Sequence, residues 1–295
     1  MAGYPYPVAR IQPAIYYGHG SQVAPGSGRK ADAMNILILG GNGMLGPWAV
    51  RALINRHNVL LTDINEPHSD YTGKYLQLSV DDVDGVVKAA EGMDVIVNLS
   101  VLRPHRKLAF DVNVMGNYAM MVAARTHGIT RVINSGPHYQ MAGMQYENWD
   151  FDLNPDMPPA SGTRLYAHTK ALGQEVCRVF SERHGIQVIT LLYYNMKHSW
   201  DLSGMEPGGP EYHHDMTPYS TAWPDCGTAV RAAVEVPEER LATRCETFFV
   251  FPDLPHRKFN NEKIKRVLGW QPRYHVEGLW NKDWRTPPDN LHGAF

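Results

Sequence analysis

The residues best suited to chemistry are Tyr166 and Lys170, in the run Tyr166-Ala-His-Thr-Lys170. On a helix, positions i and i+4 share a face, so a phenol and an ammonium stand one turn apart. A free tyrosine titrates near pH 10, so a phenol acting as a base near neutrality must fall by about 3 pH units, or about 4 kcal/mol. A cation about 4 Å away, at an effective dielectric of about 20, supplies roughly that much. Such a phenol takes the proton of a hydroxyl while hydride leaves the carbon that bears it, or returns the proton in the reverse direction. The spacing recurs at Tyr193 and Lys197, but there it falls at the end of a strand, where i and i+4 share no turn. Tyr166 is therefore the expected base. Ser135 closes the preceding strand, where its hydroxyl either bonds the substrate oxygen beside Tyr166 or simply begins the turn at Gly136-Pro137.

A hydride needs an acceptor, and residues 35 to 46 offer a seat for one. Ile36 to Leu39 read as a strand buried on both faces. A glycine-dense turn follows at once, then a helix from Met44 to about Asn55. The turn fits two spacings, Gly40-x-x-Gly43-x-x-Gly46 and Gly41-x-Gly43-x-x-Gly46. In either, glycines let the backbone approach a diphosphate, and the helix start presents free N–H groups to it. Asn42, Met44 and Leu45 complete that cradle. A second strand ends in Asp63, about 20 residues on, placed to accept from both ribose hydroxyls, with Ile64 beside it. A carboxylate there repels a 2′-phosphate, so NAD is expected over NADP. Lys170 can then hold the nicotinamide ribose as well as the phenolate.

The rest of the chain bounds the setting. Its 295 residues carry a formal net charge of −2, which gives no electrostatic case for nucleic acid or an anionic membrane. Cys177, Cys226 and Cys245 are scattered and odd in number, as expected of reduced thiols in a cytoplasmic protein. No apolar run approaches the ~20 residues of a membrane span, and the start lacks the apolar stretch of a signal peptide. Residues 1–33, rich in Gly, Pro and Tyr, read as an N-terminal extension that either docks its aromatic rings or stays loose. Residues 34–197 alternate strand and helix and read as the NAD-binding domain. Strands are expected near Tyr75–Leu78, Asp94–Ser100, Arg131–Asn134 and Gln187–Tyr194. Helices are expected at Asp81–Glu91, at Lys107–His127, closed by Gly128, and at about Thr163–Arg183. This predicts an α/β fold, a Rossmann-like doubly wound parallel sheet with ligands at the carboxyl ends of the strands. Residues 198–295 read as a small C-terminal substrate-binding subdomain, with a helix at Asp225–Val236, a strand at Thr247–Phe251 and a helix at Asn261–Leu268 returning to the core.

Together these residues resemble the extended short-chain dehydrogenase/reductases, the NAD-dependent epimerase/dehydratase group. The likeness covers about residues 34–280. It rests on the glycine turn, Asp63, Asn113-Val-Met-Gly116, Ser135, Tyr166-x-x-x-Lys170 and Leu268-Gly-Trp-Gln-Pro272. It implies bound NAD(P) and Ser–Tyr–Lys roles for Ser135, Tyr166 and Lys170. It also implies that Ser79, Val80, Leu99 and Ser100 line the adenine and nicotinamide ends, and a homodimer formed through the helices near 107–127 and 163–183. Asn113 either holds a water or carbonyl near Lys170 or faces solvent. The likeness departs in two places. The fifth strand usually ends in two or three hydroxyl residues, yet Gly136-Pro137-His138-Tyr139 follows Ser135 here; if the catalytic hydroxyl belongs one position later, His138 is expected to share the polarising role. After the sixth strand, Arg-Pro-x-Asn is replaced by Leu192-Tyr-Tyr-Asn195, which keeps only Asn195. Ser100, His138, Tyr139 and Asn195 are the expected substrate contacts.

The chain left after Lys170 is short for a nucleotide-sugar epimerase of this group and similar in size to the uronate dehydrogenases. Residues 198–230 hold His198, Trp200, His213, His214 and Trp223 but no Lys or Arg. An anionic substrate usually wants a paired cation, so the loop suits an uncharged polyol or a ring stacked on an aromatic face, unless Arg257 or Lys258 reaches in. His213-His214-Asp215 reads as a solvated loop rather than a metal site. The expectation is an NAD-dependent oxidoreductase acting at a secondary alcohol of a sugar-like or other small hydroxylated molecule. The alternatives are an epimerase or dehydratase that keeps its NADH, and a cofactor-binding protein without turnover. Tyr166 and Lys170 speak against the last, and Gly136 for it.

Overall fold

The computed structural model describes residues 33–69, 71–142, 153–197, 220–253 and 259–274. At its centre lies a seven-stranded sheet. Its strands are β1 (Asn35–Leu39), β2 (Asn58–Asp63), β3 (Lys74–Gln77), β4 (Val95–Asn98), β5 (Arg131–Pro137), β6 (Gln187–Tyr193) and β9 (Cys245–Phe249), in the spatial order β3-β2-β1-β4-β5-β6-β9. Every neighbouring pair is parallel. Two short strands, β7 (Met196–Lys197) and β8 (Thr221–Ala222), pair separately. The doubly wound parallel sheet expected from the sequence is present.

Alternation along β1 shows how the two layers form. Ile36 and Ile38 face one core cluster, Leu37 and Leu39 the other, and all four are fully buried. On the first face lie α1 (Gly46–Leu53) and α7 (Trp223–Glu235). On the second lie α2 (Val83–Ala89), α4 (Gly116–His127) and α6 (Leu165–His184). Covered on both faces, the strands are continuous apolar runs. Winding reverses between β1 and β4, the place where such sheets open a crevice.

Several boundaries differ from the sequence reading. The 107–127 stretch is three pieces: α3 (Arg106–Phe110), one π turn (Asp111–Met115) and α4. Periodicity alone does not register the extra residue of a π turn. Strand β5 runs through Pro137, beyond the expected Asn134, because its far end pairs with Leu191 to Tyr193 of β6. A short helix, α5 (Tyr139–Ala142), follows it. Helix α1 starts at Gly46 rather than Met44, leaving Met44 and Leu45 in the turn. The described parts of 198–295 return to the body: α7 packs on α1, β9 adds a strand beside β6, and α8 (Glu262–Leu268) follows. No helix among the described residues is long and apolar enough to cross a membrane.

Leu37 touches no solvent. Leu37→Ala is expected to cost about 2–5 kcal/mol, read as a lower urea midpoint; an unchanged midpoint would contradict the close packing of this layer.

Candidate active site

The glycine turn is fixed from several sides. Gly40 has φ +70°, and a Cβ on it would stand 2.5 Å from the Ser100 Cα. A Cβ on Gly46 would stand 1.7 Å from the Gly41 carbonyl oxygen. The Gly41 N–H donates to the Thr62 carbonyl at 2.9 Å, tying the turn to β2. Both glycine spacings are thus used, one for the left-handed turn and one for the tight helix entry. Gly43, Met44 and Leu45 line a cavity of about 370 Å³.

Asp63 ends β2 and accepts from the Asn42 N–H at 3.1 Å, from the Asn65 N–H at 3.1 Å and from Asn65 Nδ2 at 3.2 Å. An ionised carboxylate offers about four lone-pair sites, so capacity for a ribose hydroxyl remains. No Lys or Arg stands between Ile64 and Ser69 to take a 2′-phosphate. Ile64 is exposed beside Asp63. Ser79 bonds Asp81. Val80 is buried, and its side chain occupies the space a Cβ at Gly116 would need, so its side chain belongs to the core. With a backbone cradle that side chains would fill and an acceptor at the end of β2, these residues fit a dinucleotide.

Tyr166 and Lys170 both line the same cavity. Lys170 is among the largest fully buried side chains of the described residues. Its Nζ donates to the carbonyl oxygens of Ser100 at 2.8 Å and Ser135 at 3.0 Å, at the ends of β4 and β5. Burial pulls the ammonium down to about 7; Cys177 works against this fall, and the charge of Arg103 adds to it. A second cation, one the spacing does not suggest, stands at the phenol. Arg103, in the loop between β4 and α3, places its guanidinium carbon 5.2 Å from the Tyr166 ring centre and hydrogen-bonds the side chain. Enclosure raises the Tyr166 phenol above its ordinary value, and Arg103 opposes that rise by charge and by hydrogen bond. Arg103 also lines the cavity. It escaped the sequence reading, where its signal is positional: an arginine a few residues past the carboxyl end of β4, next to the point of reversal.

Asn113 explains how that loop is held. It is fully buried in the π turn. Its Nδ2 donates to the Leu102 carbonyl at 2.8 Å and to Thr169 Oγ1 at 3.0 Å, and its Oδ1 accepts from the Leu102 N–H at 3.3 Å. It is not solvent-facing; it holds a backbone carbonyl, that of Leu102, and through Thr169, the residue before Lys170, pins the residue before Arg103 to α6.

Ser135 lines the cavity and donates its hydroxyl to the Asn98 carbonyl at 2.9 Å. Its lone pairs are left for a substrate hydroxyl, while donation to a carbonyl requires the proton to swing away from Asn98. Beyond it, Gln140 fills the room of a side chain at 136: a Cβ on Gly136 would stand 1.9 Å from Gln140 Oε1. His138, expected to share the polarising role, lies behind the cavity wall. Its ring packs among Tyr139, Tyr194, Phe251 and Phe259 at centroid distances of 5.1, 4.3, 6.0 and 5.2 Å. It is fully buried, and burial lowers it to about 3, which keeps it neutral. The β-strand period carries it to the core side because β5 continues through Pro137. Tyr139 and Asn195 do line the cavity, as do Leu99 and Trp223, whereas Ser100 turns its hydroxyl to Asn98 Oδ1 at 2.5 Å. Asn195 adopts φ +41°, a conformation asparagine tolerates, and donates to Ser220 Oγ at 2.7 Å. The Tyr193–Lys197 pair spans β6 and β7 rather than a helical turn. His198, Trp200, His213, His214, Asp215, Arg257 and Lys258 lie outside the described residues.

Lys170 carries a pH signature. Its folded value, about 7, lies below the ordinary 10.5. Below about pH 7 both states hold the proton and the burial cost is in full force. Between there and about 10.5 the unfolded chain binds the extra proton, so stability rises with pH. Relative to Lys170→Met, the native chain is expected to gain in urea midpoint between about pH 7 and 9.5; parallel curves would show that this amine does not titrate there.

Residues 36–197 match the family described as NAD dependent epimerase/dehydratase. Uronate dehydrogenase of Pseudomonas syringae pv. tomato is 28% identical over 163 residues, 53% of this chain and 57% of that relative's length. L-arabinose 1-dehydrogenase (NAD(P)(+)) of Haloferax volcanii is 25% identical over 257 residues, 81% of this chain and 96% of that one. Among solved structures, a uronate dehydrogenase mutant from Agrobacterium tumefaciens complexed with NAD superposes with a TM-score of 0.67 at 18% identity, covering 88% of this chain and 92% of that one. UDP-glucose 4-epimerase of Thermotoga maritima gives 0.65 at 17%, covering 83% and 96%. The solved structures share the fold, and the family match over more than half the sequence decides the matter: the chain belongs to the NAD-dependent epimerase/dehydratase family of extended short-chain dehydrogenase/reductases.

Proposed function

We propose that this protein is an NAD-dependent oxidoreductase that oxidises a hydroxyl-bearing carbon of a monosaccharide or sugar acid. One observation carries the reading: Tyr166, Lys170, Arg103 and Ser135 surround a single cavity that opens onto the glycine turn. Its volume is about 370 Å³, and its lining runs from the glycine turn to Tyr166 and Asn195, so one cavity serves cofactor and substrate. Arg103 adds a cation the 198–230 loop lacks, so a carboxylate-bearing substrate is admissible as well. The relatives named above act, by name, on a uronate and on L-arabinose.

Bound NAD supplies the hydride acceptor. Tyr166 takes the hydroxyl proton, so that loss of hydride leaves a carbonyl. Ser135 orients the substrate oxygen from β5, and Asn195 and Tyr139 bound the other wall. Lys170 holds the nicotinamide ribose from the buried side, and Asp63 accepts from the adenosine ribose. Transient oxidation with retained NADH, as in an epimerase, is the second reading, favoured by the family match itself. Accumulation of NADH in solution separates the two.

The protein is further proposed to be a cytoplasmic homodimer. Its three cysteines are unpaired with one another. Phe110, Met115, Tyr118, Leu172 and Val179 are exposed apolar residues on α3, the π turn and the neighbouring α4 and α6, a surface of the kind that pairs with another. Tyr118→Glu with Val179→Glu is expected to yield monomers by sedimentation velocity.

With aldoses and uronates as substrates, Tyr166→Phe is expected to lower kcat by about 10²–10⁴-fold while NAD affinity, read by calorimetry, stays near its native value. Full turnover by this variant would remove Tyr166 as the base. Asp63→Ala is expected to weaken NAD and narrow the preference over NADP; an unchanged preference would remove Asp63 from cofactor choice.

A further inference from the structure

In the usual reading of a Tyr-x-x-x-Lys helix, the lysine supplies the charge that makes the phenol acidic. Here the ammonium of Lys170 is committed to two carbonyl oxygens, those of Ser100 and Ser135. The guanidinium of Arg103 stands at the Tyr166 ring instead, 5.2 Å from its centre. We propose that Arg103 is the positioning residue of the reactive phenol, holding the Tyr166 ring at the cavity and supporting its phenolate. This rests on the reading of Tyr166 as the base.

Three further observations converge on it. First, Arg103 is exposed, so it fills no gap in the core; what it contributes is charge and hydrogen bonding at the cavity. Second, its loop is fixed by design of the surrounding fold. Buried Asn113 makes both an accepting and a donating bond to the backbone of Leu102 and a third bond to Thr169, one residue before Lys170. A fully buried amide is retained at a cost unless its bonds are used, and here two of the three go to the residue preceding Arg103. Third, a guanidinium keeps its charge at every working pH, whereas burial leaves Lys170 near neutrality only partly charged. A phenolate that must persist across that range is better served by the former.

The charged and titratable groups around Tyr166 come from four elements. Arg103 belongs to the β4–α3 loop, and Lys170 lies one turn along α6. Tyr139 of α5 meets the Tyr166 ring edge-on at 5.7 Å. Arg164, at the start of α6, and Tyr194, just past β6, act on Tyr139. Of these, Arg103 is the group whose charge and hydrogen bond both favour the phenolate of Tyr166. Tyr139 is itself pushed up by burial and by Tyr166, so it stays protonated and does not compete.

The test uses the full chain with 3-fluorotyrosine placed at 166, its phenol titrated by fluorine NMR with and without NAD. The midpoint is expected to rise by about one pH unit or more in Arg103→Gln, with Arg103→Lys in between. The acid limb of kcat/KM for oxidation is expected to move to higher pH by the same amount. An unchanged midpoint in Arg103→Gln, in a variant with native far-ultraviolet dichroism, would overturn the proposal. So would a larger shift in Lys170→Met than in Arg103→Gln. A rise in KM confined to acidic sugars, with the titration unmoved, would make Arg103 a substrate anchor and equally overturn it. Should Arg103→Gln fold poorly, Arg103→Lys decides alone: a native midpoint and a native pH limb in that variant count against the geometry-dependent bond. The titration does not require turnover, so failure of Tyr166 as the base, read from Tyr166→Phe, is distinguishable from failure of Arg103.

Discussion

The ammonium of Lys170 bonds to the carbonyl oxygens of Ser100 and Ser135, and in doing so joins three elements. It fastens α6 to the carboxyl ends of β4 and β5. A buried charge is tolerated only when its donors are satisfied; the Ser100 carbonyl lies past the end of β4, and the Ser135 carbonyl lies on β5 beyond the last residue paired with β4. The same contact sets the rotation of α6, so that Tyr166, one turn earlier, faces the cavity rather than the core. The neighbouring Ser100 backbone also abuts Gly40. One junction thus sets the distance between the catalytic helix and the dinucleotide turn.

Around this junction the charges are divided. One cation is buried, and another is exposed at the cavity. Lys170 is placed to bond a ribose from beneath, and Arg103 comes over the phenol from the solvent side. Between them, Asn113 uses a π turn to present its amide to both the β4–α3 loop and α6. A π turn inserts one residue into a helix and re-aims the side chains on it, which is how a long helical stretch reaches two targets at once. The departure at Gly136 reads differently in this light. The missing side chain leaves no hole, because Gln140 occupies it; Gln140 Nε2 donates to Gln174, whose own Nε2 donates to Thr247.

Much of this was legible in the sequence. The continuous apolar run Ile36–Leu39, the glycines after it and Asp63 twenty-odd residues on specify strand, turn, helix and strand by local rules alone, and their order implies a parallel sheet. Tyr166 and Lys170 share a helical face because their spacing says so. Other features were not legible. The π turn at Asp111–Met115 has no distinct periodicity. The extension of β5 to Pro137 comes from pairing with β6, and it carries His138 into an aromatic cluster, away from the cavity. The cation of the site was sought in residues 198–230, while Arg103 sat in a loop whose sequence has no catalytic pattern.

By itself, then, the sequence determined whatever depends on neighbours along the chain: which segments are strands or helices, where the backbone must turn through glycine, and which side chains share a helical face. The tertiary structure alone decided which groups meet across the sheet: Lys170 with carbonyls 70 and 35 residues away, Arg103 with Tyr166, and β9 beside β6. The physical reason is that spacing encodes local geometry through the helix and strand periods. Contacts between distant segments instead follow from strand order, and only the folded sheet brings the ends of β4, β5 and β6 to one crevice.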